Sequence, residues 1–462
     1  MYTKNEKFLF ELSDFYKWCE DHKKQRCNLL SSEKIGCFEV FYFFGIAVLF
    51  KQIRSNIRER WFFLKKKLFT CGHRFEIVSP IVESKVRKNR IYLNIGTIPY
   101  CDAKTGISRV STNLAVEGIN SKSEIIPVYC DIVSGGYRIA NDWLRNKAEV
   151  KNKQSLGKVD DIITVCPGDW LIHTTVSLPD LEKNNEFRRK FKKSGGKEGV
   201  VLYDLIPVQF PQYVARHFAQ SFTRWLMCIE HMDGIFAISE SVLNDWYCWC
   251  NERGIKNVNA SSFYLGANFN KKSEIIKELP PELLKYPYFV QVSTIEPRKG
   301  YVQLLQAFDL LWKQGKDVSL VIVGRYGWNM ESFVHRVKQH SFYGKKLFWL
   351  EGISDDMLAA VYNKSIGVIM ASEAEGFGLG IIEGLSYGKK VIVRDIPIFR
   401  EVGGESLLYF QGGEPEAIAN VVEKVMSNKG EVILPRLEKN ISWQNSFNSF
   451  MVAFNKLNSK SV

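Results

Sequence analysis

A doubly wound α/β architecture in two domains, preceded by a basic extension, is what the sequence predicts. Short runs of β-branched and aromatic residues alternate with segments of helical apolar spacing along most of the chain. The turns that follow those runs carry glycine together with charged residues, as at Gly324-Arg325 and Glu375-Gly376-Phe377-Gly378. The chain has 462 residues, of which 45% are hydrophobic, enough for two globular domains and an additional segment.

The extension comes first, over residues 1–88. Residues 1–90 carry 19 Lys/Arg against 10 Asp/Glu, so nine of the thirteen net positive charges lie there. The run from Val40 to Phe50 is apolar but shorter than the roughly 20 residues needed to cross a bilayer. It leads into Lys51-Gln52-Ile53-Arg54 and on to Lys65-Lys66-Lys67, where cations alternate with aromatic and branched residues. Such a segment suits a bilayer interface, each cation contributing about 1 kcal/mol against anionic lipid. The expectation is peripheral contact of residues 40–67 with the cytoplasmic face of a membrane. The alternative is a helical domain or partner-binding hairpin with the run as its core.

The first domain is placed at residues 89–275. Ile91-Tyr92-Leu93-Asn94-Ile95 reads as its first strand and 96–104 as the loop leaving it. Thr105 then caps an apolar-periodic helix that opens Gly106-Ile107-Ser108-Arg109. Farther on, Val200 to Tyr203 ends a strand before Asp204-Leu205-Ile206-Pro207, and Ala237-Ile238-Ser239 ends another, with Ser239 capping the helix after it. The boundary falls between Asn268 and Tyr286, where Leu279-Pro280-Pro281 breaks the pattern.

The second domain is placed at 286–440. Tyr288 to Ser293 reads as a buried strand, and Thr294 to Gly300 as its loop. In the following helix Leu304, Leu305, Phe308, Leu311 and Trp312 share one face. Strands follow at Ser319–Val323, Leu347–Leu350, Gly367–Met370 and Lys390–Val393, with helices near Asp355 to Asn363 and at Pro415–Ser427. The last helix begins with Pro, well placed at a first helical position. In such a sheet ligands sit at the carboxyl ends of the strands, where the glycine-bearing loops lie.

The stretch Glu375-Gly376-Phe377-Gly378-Leu379-Gly380-Ile381-Ile382-Glu383 sets two carboxylates around a glycine-rich turn that opens a helix. Amides at a helix start are donors on the positive end of the dipole and suit a diphosphate, while a carboxylate accepts from sugar hydroxyls. Were the segment wholly helical, the two Glu would stand roughly 12 Å apart along the axis, about the reach from a ribose to a hexose joined by two phosphates.

Ile295-Glu296-Pro297-Arg298-Lys299-Gly300, Val323-Gly324-Arg325-Tyr326-Gly327-Trp328 and the Glu375 to Glu383 segment together resemble a retaining glycosyltransferase of family 4, with the two-domain GT-B fold. The likeness covers roughly Ile91 to Phe454. It implies two Rossmann-like domains facing a cleft, with the first on the acceptor side and the second binding the donor nucleotide. The segment 441–462 would be a helix crossing back to the first domain, its Phe447, Phe450, Met451 and Phe454 serving packing. It also implies that Arg298 and Lys299 face the donor diphosphate, that Glu375 touches the donor hexose and that Glu383 holds the ribose. Gly324, Arg325, Ile353 and Ser354 would approach the base, and Gly376, Phe377, Gly378 and Leu379 the diphosphate. Gly106, and with it Arg109, would lie near the sugar phosphates. The retaining outcome rests on the resemblance alone.

Bacterial mannosyl- and rhamnosyltransferases of surface polysaccharide synthesis often show a His-Asp pair before Leu-Ile-Pro. Tyr203 stands where that His would be, so no His role transfers, while Asp204 keeps its match and can orient or deprotonate an acceptor hydroxyl. The expected reaction moves a hexose from a nucleoside diphosphate to a glycan or lipid-linked glycan of an O-antigen or capsule. GDP-mannose is the first donor choice, ahead of dTDP- and UDP-sugars. As the bond to the diphosphate breaks, negative charge grows on the leaving phosphate, and pre-placed cations lower that barrier; loss of one costs on the order of 10²-fold. Arg298 and Lys299 are assigned this role.

No cofactor and no metal is expected. The ten cysteines have no zinc spacing and no secretory signal precedes them, which points to a reducing cytosol. The seven histidines form no ligand cluster, and His217 and His231 read as packing histidines in an aromatic-rich helix. Neither Asp160-Asp161 nor Asp355-Asp356 has the setting of a metal pair. The net charge of +13 raises nucleic-acid binding as a different class, but no such module is present and the charge is concentrated away from the cleft. A GT-B epimerase or hydrolase, and a silent scaffold, complete the alternatives.

Overall fold

The computed structural model describes residues 89–101, 105–121, 123–131, 135–151, 153, 156, 160–256, 258–267, 279–427 and 442–459, together with the backbone of three strands between residues 32 and 51. Those strands, β1 (Ser32–Ile35), β2 (Phe38–Phe43) and β3 (Ile46–Lys51), form an antiparallel sheet in which Phe43 stands opposite Ile46. The apolar run Val40 to Phe50 thus contributes to β2 and β3. The basic stretch from Gln52 to Lys67 lies outside the described residues.

The second sheet contains β4 (Ile91–Asn94), β5 (Ile125–Cys130), β6 (Tyr137–Ile139), β7 (Trp170–His173), β8 (Lys197–Leu202), β9 (Gly234–Ala237) and β10 (Ala260–Ser262), in the order β10-β9-β8-β7-β4-β5-β6. All of its pairs are parallel except β5 with β6. Its strands are nearly continuous apolar runs, as burial on both faces requires; Leu93, Leu171, Ile172, Val200, Val201 and Leu202 are fully buried.

The third sheet contains β11 (Tyr288–Val292), β12 (Ser319–Val323), β13 (Leu347–Leu350), β14 (Gly367–Met370), β15 (Lys390–Arg394) and β16 (Leu408–Phe410), in the order β13-β12-β11-β14-β15-β16, parallel throughout. The predicted stripe Leu304, Leu305, Phe308, Leu311 and Trp312 packs against it from helix Tyr301–Lys313.

Each parallel sheet reverses direction once. In the second sheet the chain turns one way from β4 to β5 and the other way to β7; in the third the same happens between β11 and β14. A crevice opens outside the strand ends at such a switch point. The loops that leave these strands therefore carry the candidate site.

The last helix, Trp443–Ser459, returns to the second sheet. Phe450 packs on Phe236 with ring centroids 5.2 Å apart, Phe454 on Trp170 at 5.3 Å, and Trp170 Nε1 donates to Asn458 Oδ1 at 3.1 Å. The aromatic stripe is packing, as its helical spacing suggests. Among the described residues no helix is long and apolar enough to cross a membrane.

Candidate functional site

Glu375 lies at the centre of a cluster of charges. After β14 the chain passes through Ser372-Glu373-Ala374-Glu375 and turns at Gly378, whose φ of 93° is left-handed and favours glycine, before helix Leu379–Ser386 begins. The segment between the two carboxylates is thus a turn followed by a helix, not a continuous helix. One Glu375 oxygen accepts from Arg298 Nη1 at 3.0 Å; the other accepts from Lys299 Nζ at 2.5 Å and Ser372 Oγ at 2.8 Å. Arg298 also donates to Ala374 O at 2.7 Å and to Glu296 Oε2 at 3.2 Å. Arg298 and Lys299 are therefore not a solvated pair: the side chains of Arg298, Lys299 and Glu375 are only 16%, 10% and 9% exposed.

This arrangement governs protonation. Burial acts to raise the pKa of Glu375, but Lys299 and Arg298 outweigh it and hold the carboxyl at about 2. Lys299 is lowered, by burial and by Arg298 beside it, whereas Glu375, Glu296 and Asp204 push Arg298 up against its own burial. Asp204, at the end of β8, accepts from the Ile206 amide at 3.1 Å. Burial raises its pKa, and the partly offsetting pull of Arg298 and the push of Glu375 and Glu296 bring it into the same electrostatic cluster.

Glu383, one turn into the helix, is engaged from both sides. Arg109 donates to one oxygen, and Tyr362 OH to the other at 2.7 Å. Arg109 belongs to helix Gly106–Asn120, capped as predicted by Thr105, which accepts from Ser108 N at 3.2 Å. The ion pair therefore spans the cleft. Gly106 opens that helix facing Leu379, and Phe377 and Ile382 join the first domain's core.

The cleft walls meet elsewhere too. A Cβ on Gly376 would stand 2.0 Å from the Tyr203 carbonyl oxygen, so only glycine allows the turn before helix Leu379–Ser386 to lie against the end of β8. Ser239, the predicted cap of helix Glu240–Glu252, also donates to Gly376 O at 3.0 Å. Glu401 accepts from the Glu240 and Ser241 amides at 2.7 and 2.8 Å, and Tyr213 donates to Glu373.

The residues expected near the base stand at the ends of β12 and β13. Gly324 O accepts from Trp349 Nε1 at 2.7 Å, Arg325 is exposed and its carbonyl accepts from Ile295 N at 2.9 Å, and Ile353 is half-buried. Ser354 caps helix Asp355–Lys364 by accepting from Met357 N at 3.3 Å. Sequence reasoning did not single out Glu296, Ser372, Tyr362, Glu373, Tyr213 or Glu401. Glu296 lies within the quoted loop and Ser372 three residues before Glu375, so both were discoverable; the others act across distances that local sequence does not reveal. His217 and His231 are both exposed, which corrects their reading as packing residues: helix Arg216–Ile229 buries Phe222, Trp225, Leu226 and Ile229, and His217 lies off that stripe.

Residues 272–442 match the family described as glycosyl transferases group 1. That segment, less than half of the chain, is what the family match covers. The chain is 34% identical over 376 residues to the serotype-specific mannosyltransferase WbdA of Escherichia coli, an alignment covering 78% of this chain and 45% of that protein. The chain thus spans less than half the length of these mannosyltransferase relatives. Among solved structures, sucrose-phosphate synthase from Thermosynechococcus elongatus superposes with a TM-score of 0.52 at 15% identity, over 81% of this chain and 97% of that one. Anabaena Alr3699/HepE, solved in complex with UDP and glucose, gives 0.52 at 14% identity over 81% and 98%. Both likenesses show the fold, and the GT-B expectation holds for this chain.

Proposed function

We propose that this chain transfers a mannosyl residue from a nucleoside diphosphate to a glycan during assembly of a surface polysaccharide. The observation that carries the reading is the Glu375 cluster. A carboxylate held ionised by two buried cations stands at a glycine turn, beside helix-opening amides and opposite Asp204. Arg298 and Lys299 are aimed where charge grows on a departing diphosphate, and a low-exposure setting strengthens that interaction. Glu375 contacts the hexose, Glu383 the ribose, and Asp204 takes or orients the acceptor proton. Retention of configuration, independence of metal and a GDP-linked donor belong to the same proposal. The mannosyl choice draws on the likeness to mannosyltransferases of Escherichia coli.

The test is thermal stabilisation by GDP, UDP, dTDP, ADP and their sugars, with and without a chelator. Saturation at 100 times the dissociation constant adds about 2.7 kcal/mol to stability. Selective stabilisation by one diphosphate series supports the donor cleft; no shift with any of them in folded protein refutes it. Peripheral membrane contact through residues 40–67 is proposed alongside. Its check is sedimentation with anionic vesicles, compared with a chain starting at Lys88; equal binding of the two removes it.

A further inference from the structure

Next to the Glu375 cluster lies a group of aromatic side chains that the donor reading leaves unused. Helix Ile206–Gln209 and the single turn Pro211–Tyr213 follow Asp204 and bring Phe210 and Tyr213 to the cleft edge, their rings stacked at 5.9 Å and 21°. From the opposite domain, Trp328 in the loop after β12 donates from Nε1 to Tyr213 O at 2.8 Å and remains 38% exposed. Tyr213 OH donates to Glu373, whose own amide donates to Arg298 O at 2.7 Å and which is two residues from Glu375. The aromatic edge is therefore continuous with the reacting centre.

We infer that Phe210, Tyr213, Trp328 and Glu373 form a subsite for a pyranose unit of the acceptor glycan, the unit that positions its terminal hydroxyl at Asp204. This rests on the donor-cleft reading given above. The chemistry selects a saccharide. A pyranose offers an apolar face of C–H groups to a flat ring and hydroxyls to a neighbouring carboxylate, and the edge presents both kinds of surface within one residue's reach. A lipid tail calls for uninterrupted apolar surface, which the exposed Glu373 carboxylate breaks. Because the site draws rings from both domains, sugar bound there favours the closed cleft.

The experiment uses the full chain, a saturating nucleotide-mannose donor and methyl α-mannotrioside as acceptor. Saturation-transfer NMR of the trisaccharide in the presence of the diphosphate gives a second readout independent of turnover. Trp328→Ala and Tyr213→Ala are expected to raise the acceptor KM about tenfold, the scale of a lost aromatic contact, and to weaken the NMR signal. Donor KM and stabilisation by the diphosphate stay unchanged. Trp328→Phe keeps a ring but not the bond to Tyr213 O, and is expected to restore most of the acceptor KM. Unchanged acceptor KM and NMR signal in both alanine variants overturn the inference. So does equal damage from Trp328→Phe and Trp328→Ala, which assigns the effect to the hydrogen bond across the cleft, and so does a lost diphosphate shift with intact acceptor KM, which assigns the ring to the base. A wild-type chain that binds no diphosphate faults the donor reading instead, and the two failures are thereby told apart.

Discussion

Gly376→Ala tests whether the closed cleft is the working state. The added Cβ would lie 2.0 Å from the Tyr203 carbonyl oxygen and 3.2 Å from Asp204 Cβ. A carbon–oxygen contact settles near 3.3 Å, so the two backbones must separate by about 1.3 Å. Tyr203 directly follows β8, Gly376 is held by the Ser239 hydroxyl on its carbonyl at 3.0 Å, and interiors of native density transmit strain rather than absorb it. The separation therefore falls between the domains and carries Asp204 away from Glu375 and Arg298. A misplacement of about 1 Å in reacting groups costs on the order of 10²-fold in rate. The predicted outcome is a kcat/KM for transfer lowered by about that factor. Diphosphate affinity, to which the Gly376 turn is itself expected to contribute, should fall by less than that factor, and the thermal midpoint should change little. Steady-state kinetics with thermal shift measures all three. Near wild-type turnover would refute the reasoning, because it would mean that the donor turn and the end of β8 need not approach during catalysis.

Three further outcomes follow from the same geometry. Arg298→Ala or Lys299→Ala lowers kcat on the order of 10²-fold by removing a preorganised cation, and an unchanged kcat removes that residue from the leaving-group role. Glu198 is buried against Arg188 and near His173, which together hold it at about 2 despite its burial, so like Glu375 it is more acidic folded than unfolded. Its stabilisation is complete above the unfolded value of about 4.3 and is lost as pH falls toward 2; urea midpoints should be flat from neutrality to about pH 5 and drop below it, with a shallower acid limb in Glu198→Gln. An identical slope in that variant contradicts the assignment. Phe450→Ala, fully buried between Phe236 and Phe263, should cost about 3–5 kcal/mol in urea unfolding, and a cost well below that would mean that the last helix is not part of the first domain's core.

Much of the second domain was legible because its signals are local. The runs Ser319–Val323, Leu347–Leu350 and Gly367–Met370 coincide with β12, β13 and β14, since apolar runs rich in β-branched or aromatic residues end there at glycine and polar turns, and Pro415–Ser427 coincides with its helix. The caps Thr105 and Ser239 were equally readable, as a hydroxyl that stands before an apolar-periodic segment satisfies amides of its own helix. The site was legible only in part. Arg298, Lys299 and Glu375 could be nominated by type and setting, but the pairing of Arg109 with Glu383, 274 residues apart, depends on how two domains close. The same holds for Tyr213 with Glu373 and Trp328, and for Ser239, whose capping role was evident while its bond to Gly376 was not. In His217 an aromatic neighbourhood in sequence masked a position off the buried stripe, a difference that only the helical phase resolves.

The most direct test of the central claim is mass-spectrometric detection of transfer from GDP-mannose to methyl α-mannotrioside by the wild type and by Glu375→Ala. The account predicts products one or more hexose units longer for the wild type, and none for a variant that remains folded and still binds the diphosphate. Equal product from both would contradict it, since the carboxylate at the centre of the cluster would then have no part in transfer.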